Sequence, residues 1–360
     1  MERYRIGLVP GPVSVPPEIR AAWDYDYASS DLEDEFFSLY NDTQELTRKI
    51  LRTQNDIVIT SGEAMSILWA SLKCTLKPGE KLLAVSSGLF GEGFADMART
   101  FGVNAEVCAF DYDDVPDPEK VREHARKFQP KVITAVHCET PSGTLTPCLA
   151  ELGEIAHEVG ALFVVDFVSS AGGCELDVDA CSIDIGLLGC QKVLSLTPCL
   201  SVSTISPRAW EVIEGVNYAG YESYNSWREV PAKHYMPYTH DWQAVNALNI
   251  SLNMILREGV SEAVTRHKNA AELCRALGRD MGLKLYPKHE EFCSPTVTAF
   301  YVPEKFTWPE LDSLLREKGL AVGGNYGVLA GKVFRVGHMG SQANNDLVRE
   351  GMSIIRGVIA

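Results

Sequence analysis

The sequence lacks a long apolar run, a cluster of basic residues and a closely spaced cysteine pair. No stretch reaches the roughly 18 apolar residues that a membrane-spanning helix needs. The amino-terminal segment is broken by Pro10 and Pro12 and does not resemble a signal peptide. A formal net charge of −15 disfavours nucleic acid and anionic membranes as partners, because both select basic patches. These absences predict a cytoplasmic protein that binds neither nucleic acid nor membranes.

The ten cysteines are scattered singly, and several lie in apolar segments that we interpret as strands or helices. Single buried thiols are typical of a reducing compartment and not of a disulfide framework. We therefore expect reduced cysteines that pack in the core, and we predict no metal site. The cysteines on which this prediction rests are Cys74, Cys108, Cys181, Cys190 and Cys274.

Short apolar runs alternate with amphipathic stretches from about residue 55 to residue 205. Such alternation predicts an α/β fold in which a mostly parallel sheet is covered by helices on both faces. Ligands of such sheets bind beyond the carboxyl ends of the strands. The predicted strands span residues 56–60, 81–85, 105–110, 131–136, 161–166, 184–188 and 200–205.

The rest of the chain predicts a second, smaller domain. Residues 208–240 are rich in aromatic residues and read as irregular, so they form either a contact surface or a packed excursion. After two further helices, strands and helices alternate in an α+β pattern. We predict a large domain over residues 16–257 and a small domain over residues 258–360 together with residues 1–15.

Lys192 lies in an otherwise apolar, uncharged stretch, and Asp166 ends an apolar strand predicted just upstream. An isolated buried amine or carboxylate is costly, so the presence of both needs an explanation. A simple ion pair is one explanation. A pyridoxal phosphate site is another, because this cofactor needs a lysine for its Schiff base and an acid beside its pyridine nitrogen. Burial would also lower the pKa of the lysine and free its amine as a nucleophile.

Three further segments follow predicted strands, and each has a structural explanation beside a functional one. The amides of Ser61, Gly62 and Glu63 would either hold a phosphate or begin an ordinary capped helix. Phe90 would either face a heteroaromatic ring or pack in the core. Thr140 would either reach a cofactor oxygen or stabilise a Pro-Gly turn.

Together these residues resemble the fold-type I, class V pyridoxal-phosphate aminotransferases of the alanine–glyoxylate and serine–pyruvate group. The similarity extends over nearly the whole chain. It is carried by residues 10–17 with their Pro-Gly-Pro start, Gly143, residues 166–170, the Gln-Lys pair at 191–192, and residues 335–340. The resemblance implies a large domain with a seven-stranded sheet, a small α+β domain, and a homodimer with active sites at the subunit interface.

The resemblance also implies roles for individual residues. Lys192 and Asp166 would be catalytic, the lysine as the Schiff-base amine of pyridoxal 5′-phosphate and the aspartate as the partner of its ring nitrogen. Arg335 would bind the substrate carboxylate with a bidentate guanidinium, and Tyr326 would lie beside it. Phe90 and Val168 would cover the two ring faces. The remaining residues implied to bind the cofactor are Ser61, Gly62, Glu63, Thr140, Gln191 and Thr239, the last from the neighbouring subunit.

The function implied by the resemblance is transfer of an amino group from a small alanine- or serine-like donor to pyruvate or glyoxylate. Glu63 departs from the family pattern, because a carboxylate beside a phosphate dianion costs roughly 4 kcal/mol per charge pair. Either Glu63 points away, or the site holds phosphate weakly. The second possibility fits the alternative hypothesis, a pyridoxamine–pyruvate transaminase, which acts on the unphosphorylated vitamer and is similar to this chain in several segments.

Two other hypotheses have less support. A cysteine desulfurase, also of class V, needs a cysteine on a mobile loop, and residues 323–327 contain none. A non-catalytic B6-binding protein would not need every catalytic position filled. The acidic segment at residues 25–41 is either a solvated helix face or part of the substrate entrance, where it would disfavour dicarboxylates. The sequence leaves the identity of the donor open.

Overall fold

The computed structural model describes residues 4–360 and has a seven-stranded sheet at its centre. Further short strands form small two-stranded ladders around it. In chain order the strands are β1 (Ile6–Gly7), β2 (Asp56–Ser61), β3 (Lys81–Ser86), β4 (Asn104–Ala109), β5 (Val132–Val136), β6 (Cys138–Glu139), β7 (Thr144–Leu145), β8 (Leu162–Asp166), β9 (Ile185–Gly189), β10 (Leu200–Ile205), β11 (Val297–Tyr301), β12 (Leu320–Ala321) and β13 (Val333–Gly337).

The strand order of the large sheet is β2-β10-β9-β8-β5-β3-β4. Only β10 runs against its neighbours, since it pairs antiparallel with β2 and with β9. The prediction of a mostly parallel seven-stranded sheet is therefore confirmed. Each predicted strand ends within one residue of the observed bounds, because continuous apolar runs specify strands that are buried on both faces.

Helices flank the sheet and form the outer layers of the fold. The α-helices are α1 (Pro17–Arg20), α2 (Asp34–Leu51), α3 (Met65–Thr75), α4 (Leu89–Thr100), α5 (Pro118–Phe128), α6 (Leu149–Glu158), α7 (Pro207–Val216), α8 (Val230–Lys233), α9 (Trp242–Glu258), α10 (Val260–Asp280), α11 (Trp308–Glu317) and α12 (Asn345–Ile359). Short 3-10 turns lie at Ala21–Asp24, Tyr224–Trp227, Glu290–Phe292, Gly327–Leu329 and Gly340–Gln342.

The prediction that residues 208–240 are irregular is wrong for much of that segment. The helix α7 occupies its first part, followed by the 3-10 turn at Tyr224–Trp227 and by α8. Ser206 caps α7 through its side chain, and Asn217 ends it in the left-handed conformation. The segment is packed as well as aromatic, because Tyr224 and Trp227 are buried in the large core.

Two apolar clusters form most of the interior. The larger one extends from Ile19 to Ala263 and encloses the central sheet. The smaller one joins Ile6 and Leu8 to residues between 270 and 355. The strand β1 pairs in parallel with β12, which ties the amino terminus to this second cluster. The boundaries of the two domains stay a prediction.

All ten cysteines are free thiols, and eight of them are buried. Cys181 and Cys199 are only partly buried, so the placement of Cys181 in the core was partly wrong. Burial raises the thiol pKa well above its usual value at Cys190, which keeps this sulfur protonated and unreactive. Within residues 4–360, no helix is both long and apolar enough to cross a bilayer.

Candidate active site

Asp166 lies at the carboxyl end of β8, level with Val136 of β5 and Leu187 of β9. Its side chain is 5% exposed, and its Oδ1 accepts a 2.8 Å hydrogen bond from the amide of Val168. No group in the described chain donates to Oδ2. Burial raises the pKa of Asp166 to about 6, although the Val168 amide and Lys192 act to lower it. The carboxylate is thus fixed in orientation and keeps one oxygen free.

Lys192 follows β9 and is partly buried. Its Nζ donates a 2.6 Å hydrogen bond to the carbonyl of Pro10. Burial, helped by the positive charge of Arg335, lowers the pKa of Lys192 to about 8, while Asp166 acts to raise it. The lysine and the aspartate therefore interact electrostatically in one buried region. A pKa near 8 leaves part of the amine neutral at physiological pH.

The contact between Lys192 and the amino-terminal segment goes beyond the sequence prediction. Gly11 has a φ of 92°, and a Cβ atom built there would lie 2.8 Å from Cε of Lys192. Two residues on, the amide of Val13 donates to the carbonyl of Gln191 at 3.1 Å. Only glycine combines this backbone conformation with so close an approach. The available signal was the Pro-Gly-Pro motif, which marks a tight turn.

A cleft of about 340 Å³ opens beside the lysine. This volume is in the range of small-molecule sites, roughly 300–1,000 Å³. Among residues 4–360, no acidic residue lines the cleft, and the charged lining residues are all basic. The cleft brings together five residues that the sequence predicted separately: Phe90, Thr140, Lys192, Tyr326 and Arg335.

Arg335 lies on β13 and is only 4% exposed. Its Nε and Nη2 donate to the carbonyl of Gly324 at 2.8 and 2.5 Å, and its Cζ lies 5.2 Å from the ring centre of Tyr326. No carboxylate of the described residues forms an ion pair with this guanidinium. Burial lowers the pKa of Arg335, but a guanidinium remains charged. A buried cation without an acid is costly, which makes this position a candidate site for an anionic ligand.

Three other lining residues were missed by the sequence reasoning: Trp308, Arg316 and Asn325. Arg316 donates from Nε to Asp312 at 2.7 Å, so its charge is already paired. Asn325 donates from Nδ2 to the carbonyl of Pro141 at 2.7 Å and links the two sides of the cleft. No local pattern signals these residues. Trp308 and Arg316 lie on α11, which reads as an ordinary amphipathic helix, and Asn325 lies in the loop after β12.

Two predicted cofactor residues next to the catalytic candidates, Val168 and Gln191, do not line the cleft in the described residues. Val168 and Gln191 meet above Gly189, where an added Cβ atom would lie 2.9 Å from Val168 Cγ1 and 2.7 Å from Gln191 Oε1. The Oε1 atom of Gln191 is buried and has no hydrogen-bond partner. The hydroxyls of Thr140 and Ser169 share a short hydrogen bond. The close contacts at Gly189 place Val168 and Gln191 beside the end of β9.

The segment at the start of α3 departs in part from the prediction. Gly62 has a φ of 121°, and its amide donates to the carbonyl of Cys199 at 2.8 Å, so it is not available to a phosphate. The next three amides make no hydrogen bond with described residues, and the N-cap residue Ala64 has no side-chain acceptor. Glu63 is exposed and acts to raise the pKa of Lys192. Its carboxylate therefore influences the site. Ser61 lines a separate cavity of about 30 Å³.

Thr239 and the acidic segment lie away from the cleft of their own chain. The Oγ1 atom of Thr239 is exposed and donates to Oδ2 of Asp31 at 3.0 Å. Asp34 and Glu35 are exposed in the first turn of α2. Within one chain, Asp34 and Glu35 therefore belong to a solvated helix face, whereas Asp31 lies in a turn before α2. The predicted contact of Thr239 with a neighbouring subunit stays a prediction.

Known proteins that are similar to this chain identify its family. The model of the family "Aminotransferase class-V" matches residues 25–337. An uncharacterized aminotransferase of Methanocaldococcus jannaschii is 35% identical over 340 residues, which cover 92% of this chain and 87% of that protein. Pyridoxamine–pyruvate transaminase of Mesorhizobium japonicum is 30% identical over 355 residues, covering 94% and 87%. The crystal structure of an alanine–glyoxylate aminotransferase from Nostoc sp. has a TM-score of 0.94 at 28% identity, covering 99% and 96%.

The chain belongs to the class V aminotransferase family and is an aminotransferase. Its fold is that of the fold-type I enzymes, as the sequence predicted. Its relatives include alanine–glyoxylate and pyridoxamine–pyruvate aminotransferases, which confirms the group recognised from the motifs. Members of this family are pyridoxal-phosphate enzymes.

Proposed function

We propose that this aminotransferase moves an amino group from a small alanine- or serine-like donor to pyruvate or glyoxylate, with pyridoxal 5′-phosphate as its cofactor. The proposal rests on the unpaired guanidinium of Arg335, which lines the same cleft as the amine of Lys192. An amino acid and a 2-oxo acid both carry a carboxylate next to the reacting carbon. One arginine beside one amine therefore suits both substrates of the reaction.

The residues at the strand ends fit the cofactor. Asp166 offers a free carboxylate oxygen, and its pKa of about 6 keeps it mostly ionised at neutral pH. A protonated ring nitrogen would supply the cation that this buried carboxylate lacks. When bound, the cofactor supplies an electron sink for the charge that develops at the substrate α-carbon. Phe90 and Val168 would cover the two ring faces, and Thr140 would approach the ring hydroxyl.

Lys192 would hold the aldehyde of the cofactor and, once released by the substrate, carry a proton at Nζ. Its lowered pKa of about 8 lets the neutral amine accept a proton from the substrate α-carbon near neutral pH. The Pro10 carbonyl, 2.6 Å away, orients the amine. Arg335 would meanwhile hold the substrate carboxylate, which fixes the position of the α-carbon relative to Nζ.

A homodimer would complete the phosphate end of the site. The free amides at the start of α3, together with Ser61 and Gln191, would hold the phosphate. Thr239 of a second copy would add a hydroxyl. Exposed tyrosines lie in the same segment as Thr239, since Tyr221 is 60% and Tyr235 is 62% exposed, and aromatic residues are enriched at protein interfaces. The dimer and a cytoplasmic location remain proposals.

A second candidate function is the transfer of the amino group of pyridoxamine to pyruvate. Two observations support it. The exposed carboxylate of Glu63 acts to raise the pKa of Lys192, and the amide of Gly62 already donates to the carbonyl of Cys199. Both weaken a site for a phosphate dianion, whereas a carboxylate can accept a hydrogen bond from the hydroxymethyl group of the free vitamer. In this alternative, the vitamer is a substrate and Arg335 still binds the carboxylate of pyruvate.

The deciding experiment compares L-alanine with pyridoxamine as the donor to pyruvate or glyoxylate, each with and without added pyridoxal phosphate. The first function predicts turnover of alanine with glyoxylate that depends on the phosphorylated cofactor. Turnover of pyridoxamine with pyruvate that needs no phosphorylated cofactor would establish the alternative. A protein that transfers no amino group to either oxo acid under any of these conditions would contradict both.

A further inference from the structure

Glu139 is a buried carboxylate directly behind the cleft, and the family resemblance gave it no role. It lies on β6 and is only 2% exposed. No basic side chain of the described residues pairs with it. The nearby charged groups that act on it, Asp166 and Glu92, are both acidic. Burial, helped by these two charges, raises the pKa of Glu139 to about 8, while the amides of Gly91 and Phe90 act to lower it. A buried carboxyl group without a cation needs stabilisation by hydrogen bonds.

That stabilisation comes from the first turn of α4. The two carboxylate oxygens accept hydrogen bonds from consecutive amides, Oε2 from Phe90 at 3.2 Å and Oε1 from Gly91 at 2.7 Å. The N-cap residue of this helix is Gly88, which has no side chain to cap it. The free amides and the helix dipole both favour a negative charge at this position. Glu139 therefore caps α4 from 49 residues away in sequence.

The space around the carboxylate is closed. A Cβ atom added at Gly88 would lie 2.7 Å from Cγ of Glu139 and closer still to the carboxylate. The carbonyl of Glu139 accepts hydrogen bonds from the amide of Gly143 at 2.9 Å and from the hydroxyl of Ser142 at 3.3 Å. Both the backbone and the side chain of Glu139 are thus fixed, so the residues that it contacts are held in a defined position.

Two residues that line the cleft adjoin Glu139. Phe90 is bound by it directly, and Thr140 is its neighbour in the chain. We propose that Glu139 is a positioning residue that holds the Phe90 ring at the distance needed to cover one face of the cofactor. The proposal rests on the proposed function, because it needs a cofactor ring beside Phe90. Glu139 itself does not line the cleft.

The test is a double-mutant cycle of Glu139→Gln and Phe90→Leu, read as the dissociation constant of pyridoxal phosphate and the circular dichroism of the bound cofactor. The glutamine has the same shape, but it cannot ionise, and its NH2 group sets a donor against one of the two amides. We expect each single change to weaken cofactor binding about tenfold, the size typical for loss of a buried hydrogen bond or of an aromatic contact. Coupling predicts that the double variant is hardly weaker than Phe90→Leu alone.

Hydrogen exchange of the cofactor-free protein separates this proposal from the proposed function. Glu139→Gln should speed the exchange of the Phe90 and Gly91 amides whether or not the protein uses a B6 vitamer. Asp117→Asn is the matched control, since Asp117 caps α5 by accepting from the amide of Glu119 at 3.0 Å. It should leave cofactor binding unchanged.

Two results would overturn the proposal. One is unchanged exchange at Phe90 and Gly91 in Glu139→Gln. The other is a double variant whose loss of binding is the product of the two single losses, because Glu139 would then act independently of Phe90. If Glu139→Gln fails to fold, Gly88→Ala provides the same test. The added methyl group would overlap the Glu139 carboxylate and displace it from the two amides.

Discussion

The two ends of the site carry opposite charges and differ in burial. Arg335 is 4% exposed and Glu63 is exposed, and neither forms an ion pair with another residue of the described chain. Leaving a buried charge unpaired is costly, so the arginine is strong support for an anionic ligand. Leaving an exposed charge unpaired costs little, so the glutamate constrains the ligand much less. The end of the site that we propose to bind a carboxylate is therefore better defined than the end that we propose to bind a phosphate.

The largest expected effect is at Lys192, whose pKa is lowered by burial and by Arg335, while Glu63 acts to raise it. Lys192→Ala should slow amino transfer by about 10³-fold or more, because it removes both the nucleophile and the proton carrier. Loss of the visible absorbance of the bound cofactor would accompany this change. Lys81→Ala, which alters an exposed lysine on β3, should leave both properties unchanged. Unchanged transfer in Lys192→Ala would mean that neither end belongs to an amino-transfer site.

The next prediction tests the buried end. Arg335→Leu should lower kcat/KM for an amino-acid donor about 100-fold, since truncating a buried charge partner typically costs a few kcal/mol. The half-reaction with pyridoxamine, which has no carboxylate, should be nearly unaffected. Arg316→Leu is the matched control, because Arg316 lines the same cleft but is already paired with Asp312. Equal losses of kcat/KM in the two variants would show that a buried guanidinium without an ion pair does not identify the substrate site.

Asp166 extends the comparison to a buried acid. Its folded-state pKa of about 6 lies above its unfolded value, so the stability present at low pH is lost as the pH rises towards 6. Asp166→Asn should therefore raise the free energy of unfolding of the cofactor-free protein at pH 7 by about 1–2 kcal/mol, with a smaller gain at pH 5. Amino transfer should fall at the same time. Chemical denaturation at the two pH values measures the change.

The control for this variant is Asp184→Asn. Asp184 is also buried, but it is paired with Arg208 at 2.6 Å and accepts from the amide of Phe163 at 2.8 Å. Removing its charge should destabilise the protein by about 2 kcal/mol. If both substitutions destabilised the cofactor-free protein at pH 7, then Asp166 would not be an uncompensated charge.

The smallest effect is expected at the exposed end. Glu63→Gln should tighten the binding of pyridoxal phosphate about threefold to fivefold at low salt, because it removes one repulsive but solvated charge. The gain should fade as the salt concentration rises. Glu304→Gln, at another exposed position, should change nothing. Weaker binding of pyridoxamine in Glu63→Gln, with no gain for the phosphorylated cofactor, would favour the vitamer as substrate.

Much of the site was predictable because strand ends carry its central residues. Asp166 and Lys192 stand out in apolar surroundings, and the order of the strands brings their neighbourhoods together. The helix α7 was missed although its signals were present, since Ser206 and Pro207 begin it and Asn217 ends it. The many aromatic residues that follow α7 favoured an irregular segment over a helix in the prediction.

The sequence by itself determined the strands of the sheet, the family, and which lysine and aspartate are the candidates for the site. Each of these depends on local periodicity or on short motifs. Only the tertiary structure decided which groups face these residues. The carbonyl of Pro10 reaches Lys192 across 182 residues, and Glu139 reaches Phe90 across 49. Such partners are chosen by packing between distant segments, and local sequence patterns contain no information about them.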